Sequence, residues 1–137
     1  ELDEALSIAC ATTFVSKMEN KKDSYIAQGG TNISGGQKQR LSIARAIYKN
    51  AEIIIFDDSF SALDYKTDME VRANIKECLD EKTIIIVAQR IGTIKNADKI
   101  IVLDEGRLVA EGKHEWLLEN CGLYKEIALS QLSKEEL

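Results

Sequence analysis

Two short stretches hold the residue types that do chemistry. In IIIFDDSFSALD, residues 53–64, an apolar run leads into two adjacent carboxylates, Asp57 and Asp58, and a third acid, Asp64, follows a serine-rich turn. A carboxylate at the end of an apolar strand suits a magnesium ion on a bound nucleotide, and an acid beside it can reach the water that attacks a terminal phosphate. A strand sends neighbouring side chains to opposite faces, so two adjacent acids share one crevice only where the strand ends and alternation relaxes. The same letters also suit an ordinary strand-to-helix loop. In NISGGQKQRLSIARA, residues 32–46, Ser34 is a good N-cap, and Gly35 and Gly36 let backbone amides come close to a ligand. Unpaired amides and the helix dipole make such a start an anion site, although a plainly capped helix opens in the same way. VAQR at 87–90 places another polar side chain, Gln89, just past a second apolar run.

The elements around these residues follow from periodicity. Leu2, Leu6, Ile8, Ala9, Phe14, Val15 and Met18 are spaced for two short helices over 2–19. From 36 to 50 a longer helix is predicted, with Leu41, Ala44, Ile47 and Tyr48 inward and Lys38, Gln39 and Arg40 on an exposed face. Then come a strand at 53–57, a helix near 66–79 with Met69, Ile75, Cys78 and Leu79 inward, a strand at 83–88, a short helix near 90–96 and a strand at 99–103. That alternation is α/β, and continuous rather than alternating apolar runs predict parallel strands covered on both faces. Ligands of open α/β sheets sit at the carboxyl ends of strands, where Asp57, Asp58 and Gln89 fall. EGRLVAEGKH predicts a hairpin with Gly106 at its turn, and amphipathic helices run from His114 to the end. His114 is expected near the start of those helices rather than as a ligand, with Trp116, Leu123 and Tyr124 as packing residues. The change from helical to sheet type puts a boundary near residue 51.

Composition narrows the partners. With 137 residues and 45% apolar content the chain can build a core, and a net charge of −5 argues against general affinity for nucleic acid or anionic lipid. Three dispersed cysteines, Cys10, Cys78 and Cys121, form no metal-binding pattern and predict reduced thiols without a nucleophile's surroundings. The apolar runs are too short to span a bilayer. A start at Glu1 directly inside a helical pattern suggests a piece of something longer.

Taken in order, these segments resemble the nucleotide-binding domain of ATP-binding cassette (ABC) transporters, particularly of the exporter type. NISGGQKQRLSIARA is similar to the family's signature loop and helix, IIIFD to its Walker B strand, SALD at 61–64 to its D-loop, and IIIVAQRIGTIKNADKIIVLDEGRLVAEGKHEWLL to its switch region and tail. The resemblance implies an α-helical subdomain over 1–50, followed over 51–137 by the latter part of a RecA-like P-loop NTPase core with a parallel sheet. No G-x-x-x-x-G-K-[ST] loop occurs in the sequence, so the phosphate cradle of that fold is not in this stretch and the stretch alone should bind ATP weakly or not at all.

The resemblance further implies a head-to-tail pair of such domains holding ATP and Mg2+ between them, at the cytoplasmic face of a membrane transporter. Ser34, Gly35, Gly36 and Gln37 would then contact the γ-phosphate held by the partner domain. Asp57 would hold magnesium in the chain's own site, Asp58 and Gln89 would stand in the catalytic positions, and Asp64 would lie at the dimer seam. Partners would be the second nucleotide-binding domain and the transporter's transmembrane domain, not nucleic acid.

Three departures qualify this. Glutamate is usual at the position of Asp58, histidine at that of Gln89, and an acid at that of Gln28 in YIAQGG. Paired changes at the catalytic positions resemble the degenerate half of heterodimeric exporters. The alternatives are a slow homodimeric exporter, a soluble ABC ATPase of DNA repair or translation, and an interaction module without chemistry of its own.

Overall fold

The structure, a computed structural model, describes residues 1–132, so the last residues of the predicted terminal helical run, 133–137, lie outside it. The chain forms two compact units, Glu1–Val87 and Ala88–Leu137.

The first unit begins with two short helices, α1 (Leu2–Ile8) and α2 (Thr12–Ser16), and continues through 3₁₀ turns at Lys21–Asp23 and Gln28–Gly30 to the long helix α3 (Gly35–Tyr48). Strand β1 (Ile53–Asp57), helix α4 (Tyr65–Cys78) and strand β2 (Thr83–Val87) complete it. Ala5, Leu6, Ile8, Val15, Ile43, Ala44, Ile47, Ile54, Phe56, Val71 and Ile75 share one core, so helices and sheet stabilise each other by common burial. Tyr48, expected inward, is half exposed, because Ile43, Ala44 and Ile47 make the buried stripe of α3. Along α4 the buried stripe is Asp68, Val71 and Ile75, which turns Met69 and Cys78 outward against expectation, while Leu79 does pack on the core. Asp68 tolerates burial because Arg72, one turn on, grips both its carboxylate oxygens at 3.0 and 3.1 Å.

Strands β1 and β2 pair in parallel, Ile53 beside Thr83 and Asp57 beside Val87. Among the described residues only one face of this pair is covered. Ile54 and Phe56 are buried, with Ile84 and Ile86 packed alongside, whereas Ile53 and Ile55 on the other face are 58% and 61% exposed. The expectation of strands covered on both faces is corrected in that respect. Ile54 and Phe56 belong to the same core as the buried residues of the helices.

In the second unit helix α5 (Ile91–Ile94) precedes a hairpin of β3 (Ile100–Asp104) and β4 (Arg107–Gly112), and helices α6 (His114–Asn120) and α7 (Gly122–Gln131) follow. Glu105 and Gly106 both have positive φ, 46° and 75°, the two-residue turn whose twist matches that of paired strands. Among the described residues β3 therefore pairs antiparallel with β4 and does not extend the parallel pair. Ile91, Ile100, Val102, Leu117, Cys121, Tyr124 and Ala128 form this unit's core. His114 opens α6 as predicted and is buried, its Nδ1 2.8 Å from the Tyr124 hydroxyl. Trp116 is half exposed and lies over Gly112, where a Cβ would come within 2.7 Å of its ring.

Candidate functional site

The start of α3 is built by a capping box. Ser34 Oγ accepts from the Gln37 amide at 3.2 Å, and Gln37 Oε1 accepts from the Ser34 amide at 3.0 Å. The Lys38 amide donates to the Ser34 carbonyl at 2.9 Å. The first four amides of a helix have no carbonyl one turn back. With those of Ser34 and Gln37 engaged in the box, the amides of Gly35 and Gly36 are the two left at the open end of the helix. Gln37 thus has a structural task beside the one expected of it, although its side-chain NH2 is not used in the box. Ser34 and Gly35 are exposed, and Lys38 donates to the Gly29 carbonyl at 2.7 Å, tying the preceding loop to the helix.

The acids follow β1. Asp57 closes the strand on the exposed face, in step with Ile53 and Ile55. Asp58 has φ 47°, left-handed, which breaks the alternation and turns it outward rather than toward the side of Phe56. Its amide donates to the Val87 carbonyl at 3.0 Å, extending the pairing with β2 by one residue. The turn then packs Phe60 against Phe56 with ring centres 5.5 Å apart. Asp64 caps α4, accepting from the Thr67 hydroxyl at 2.7 Å and the Thr67 amide at 3.0 Å. Those bonds, the hydroxyl first, hold its carboxyl below the usual value.

The structure brings the two stretches together, through a residue that was expected on a free surface. Gln39 donates from Nε2 to the Asp58 carbonyl at 3.2 Å and to Ser61 Oγ at 3.0 Å, and its Oε1 accepts from the Ala62 amide at 2.8 Å. A Cβ on Gly36 would stand 3.2 Å from the Ala62 carbonyl oxygen, so the helix start also presses on this turn. Arg40 is likewise not free: its Nη1 donates to the Cys10 carbonyl at 2.7 Å and its guanidinium lies 4.7 Å from the centre of the Phe14 ring. Only Lys38 of that trio is an exposed residue.

Gln89 belongs to the second unit, where it is exposed and its carbonyl accepts from Gln131 Nε2 at 2.8 Å. Gln131 Oε1 accepts in turn from the Ile91 amide at 2.8 Å, so one side chain of α7 clamps the bend that carries Gln89. No sequence signal pointed to it. As to the cysteines, all are free; burial, followed by the charge of Glu70, pushes the Cys10 thiol up, away from reactivity.

The donor set fits a nucleotide's phosphates and ion in part. Two open amides at a glycine helix start suit an oxyanion, and a single exposed strand-end carboxylate suits magnesium, which is held by one or two carboxylates together with phosphates. No cluster of three or more metal-ligating side chains occurs among the described residues, and no helix there is long and apolar enough to cross a membrane.

Comparison with known proteins agrees. Residues 7–61 match the profile of the family described as ABC transporter. An uncharacterized ABC transporter ATP-binding protein of Mycobacterium bovis is 47% identical over 131 residues, 96% of this chain and 22% of that protein. An ATP-dependent lipid A-core flippase of Aliivibrio fischeri is 38% identical over 127 residues, 93% of this chain and again 22% of that protein. Among solved structures, a bacterial Atm1-family ABC exporter with ATP bound superposes with a TM-score of 0.91 at 36% identity, covering 97% of this chain and 24% of that one. The chain thus spans less than a quarter of the length of these proteins.

Proposed function

Since the chain belongs to the ABC transporter family, as a segment of an exporter-type ATP-binding domain, we propose that the full-length protein uses ATP to power export of a small molecule across a membrane. In this reading residues 1–50 are the helical subdomain and 51–137 the latter part of the ATPase core. The observation that carries it is the start of α3, where the capping box occupies Ser34 and Gln37 with each other and leaves the Gly35 and Gly36 amides open to an oxyanion. Ser34, Gly35, Gly36 and Gln37 bind the γ-phosphate of ATP held by a second nucleotide-binding domain. Asp57 holds the Mg2+ of the chain's own ATP, Asp58 orients water, Gln89 donates to the γ-phosphate, and Asp64 sits at the seam between the two domains.

The chain's own site is slow. Asp58 is one methylene shorter than glutamate, and a misplacement of about 1 Å costs on the order of 10²-fold in rate. Gln89 can donate a hydrogen bond but cannot take up a proton as an imidazole does. Its complete signature therefore serves the competent site of a different subunit, whose transmembrane and nucleotide-binding parts assemble with this one.

The test is ATP turnover by the full-length subunit alone and mixed with its partner, with Asp58→Glu beside each. Activity only in the mixture, little changed by Asp58→Glu, is the expected result. Brisk turnover by the lone subunit, lost on Asp58→Ala, refutes the heterodimer and leaves a homodimeric exporter.

A further inference from the structure

We infer that Gln39 is a positioning residue that makes the direction of Asp58 depend on what is bound at the start of α3. The inference rests on the function proposed above and names a regulation of that same site. Both peptide groups of Asp58 are held from outside the turn. Its amide is fixed by the end of β2, through Val87, and its carbonyl by α3, through Gln39. The Gln39 amide also spans Ser61 Oγ and the Ala62 amide, so the side chain is bonded at both ends and has no slack. Ser61 Oγ donates to the same Asp58 carbonyl at 3.1 Å, which makes the turn and Gln39 one hydrogen-bonded unit.

A second contact acts in the same direction. Gly36, one turn of helix before Gln39, packs so closely on the Ala62 carbonyl that a methyl group there would stand 3.2 Å from it. A rigid helix fixed to the turn at two points cannot shift without moving the turn. An anion drawn onto the Gly35 and Gly36 amides pulls the helix start, and the pull reaches the Asp58 carbonyl through Gln39. With the Asp58 amide anchored on Val87, a pull on its carbonyl that turns the residue about its N–Cα bond carries the carbonyl and the side chain round together, and so redirects the carboxylate. Occupancy at the partner-held ATP is thereby read out at the chain's own acid turn, within one chain and without passing through the partner.

The experiment is hydrogen exchange on the full-length protein, assembled with its partner subunit, with and without Mg-ATP, in wild type and Gln39→Met. Methionine keeps the length and helical preference of glutamine and removes every hydrogen bond. Wild type is expected to gain protection on Mg-ATP at both 34–37 and 58–62. Gln39→Met is expected to keep the gain at 34–37 and lose it at 58–62. If Gln39→Met does not fold, Gln39→Glu serves, since it keeps the acceptor for Ala62 and loses the bond to the Asp58 carbonyl. Retention of both gains overturns the inference and leaves the proposed function standing. Loss of both also overturns it, because Gln39 then only supports the helix. Absence of any gain at 34–37 in wild type refutes the proposed function itself, and the inference with it.

Discussion

Replacing Gly35 by alanine separates a glycine kept for the fold from a glycine kept for a ligand. A Cβ at Gly35 would meet the Ala62 Cβ at 3.7 Å, an ordinary contact, and nothing in its backbone demands glycine. Alanine is the better helix former by about 1 kcal/mol in a helix interior. At the first helical position roughly half of that remains, so Gly35→Ala should stabilise the domain by about 0.5 kcal/mol and raise the melting midpoint by about 1–3 °C. At Gly36 the same gain is offset, because the added methyl would press at 3.2 Å on a backbone oxygen that cannot turn aside; a midpoint near wild type is expected. Each methyl also adds bulk on the residues that carry the open amides, on the side of the Ala62 turn. If an oxyanion must come within hydrogen-bond distance there, displacing it by about 1 Å lowers turnover on the order of 10²-fold. Calorimetry and ATP turnover on the assembled full-length transporter give the two readouts. A lower midpoint for Gly35→Ala would mean the glycine is structural, and a higher midpoint with unchanged turnover would remove the anion from the argument.

Two further outcomes follow from titratable groups. Asp64 is held below the ordinary carboxylate value of 3.8 by Thr67, so its cap stabilises α4 above that pH and is lost as pH falls through the lower folded value. Asp64→Asn, which keeps an acceptor, should therefore flatten the fall in unfolding midpoint measured below about pH 4. Tyr124, pushed by burial from 10.0 to about 12, stabilises the second unit as a neutral phenol; that contribution is whole below pH 10.0 and disappears as pH rises through about 12. Tyr124→Phe should remove this alkaline dependence and, by leaving His114 Nδ1 buried without its partner, lower stability by about 1–3 kcal/mol in a urea titration at neutral pH.

How much of this was legible in the sequence depends on the kind of signal. Element positions were, because Ser34 and Gly106 are punctuation whose chemistry is local, a cap and a turn, whereas Asp64, read as an acid of the site, turns out to cap α4. The inward face of α4 was misjudged because one of its buried positions, Asp68, carries a charged letter. The grip of Arg72 on it makes that burial tolerable, and the apolar Met69 beside it is left outside. Gln39 and Arg40 escaped for a different reason. Helical periodicity says which way a side chain leaves the helix, not that a long polar one reaches a carbonyl far along the chain. The uncovered face of Ile53 and Ile55 shows the converse: an apolar run states that burial is intended without saying what supplies it.

The adjacent acids show what the geometry adds to that reading. Alternation along β1 would have sent Asp58 to the covered side with Phe56, at the expense of a buried charge. A left-handed residue avoids this, yet Cys10, Lys21, Asn50 and Glu105 also have positive φ, so the conformation by itself carries no argument. What sets Asp58 apart is that its amide and its carbonyl are bonded to two different elements, β2 and α3, each distant in sequence. An ordinary strand-to-helix loop has no need of that, since its backbone can turn to water. Here the backbone is fixed from both sides, so at a given occupancy of the α3 start the reach of the carboxylate is set by side-chain length. In Asp58→Glu the added methylene is therefore not absorbed by a yielding turn, and its effect on turnover reports the placement of the acid and not the pliancy of the loop.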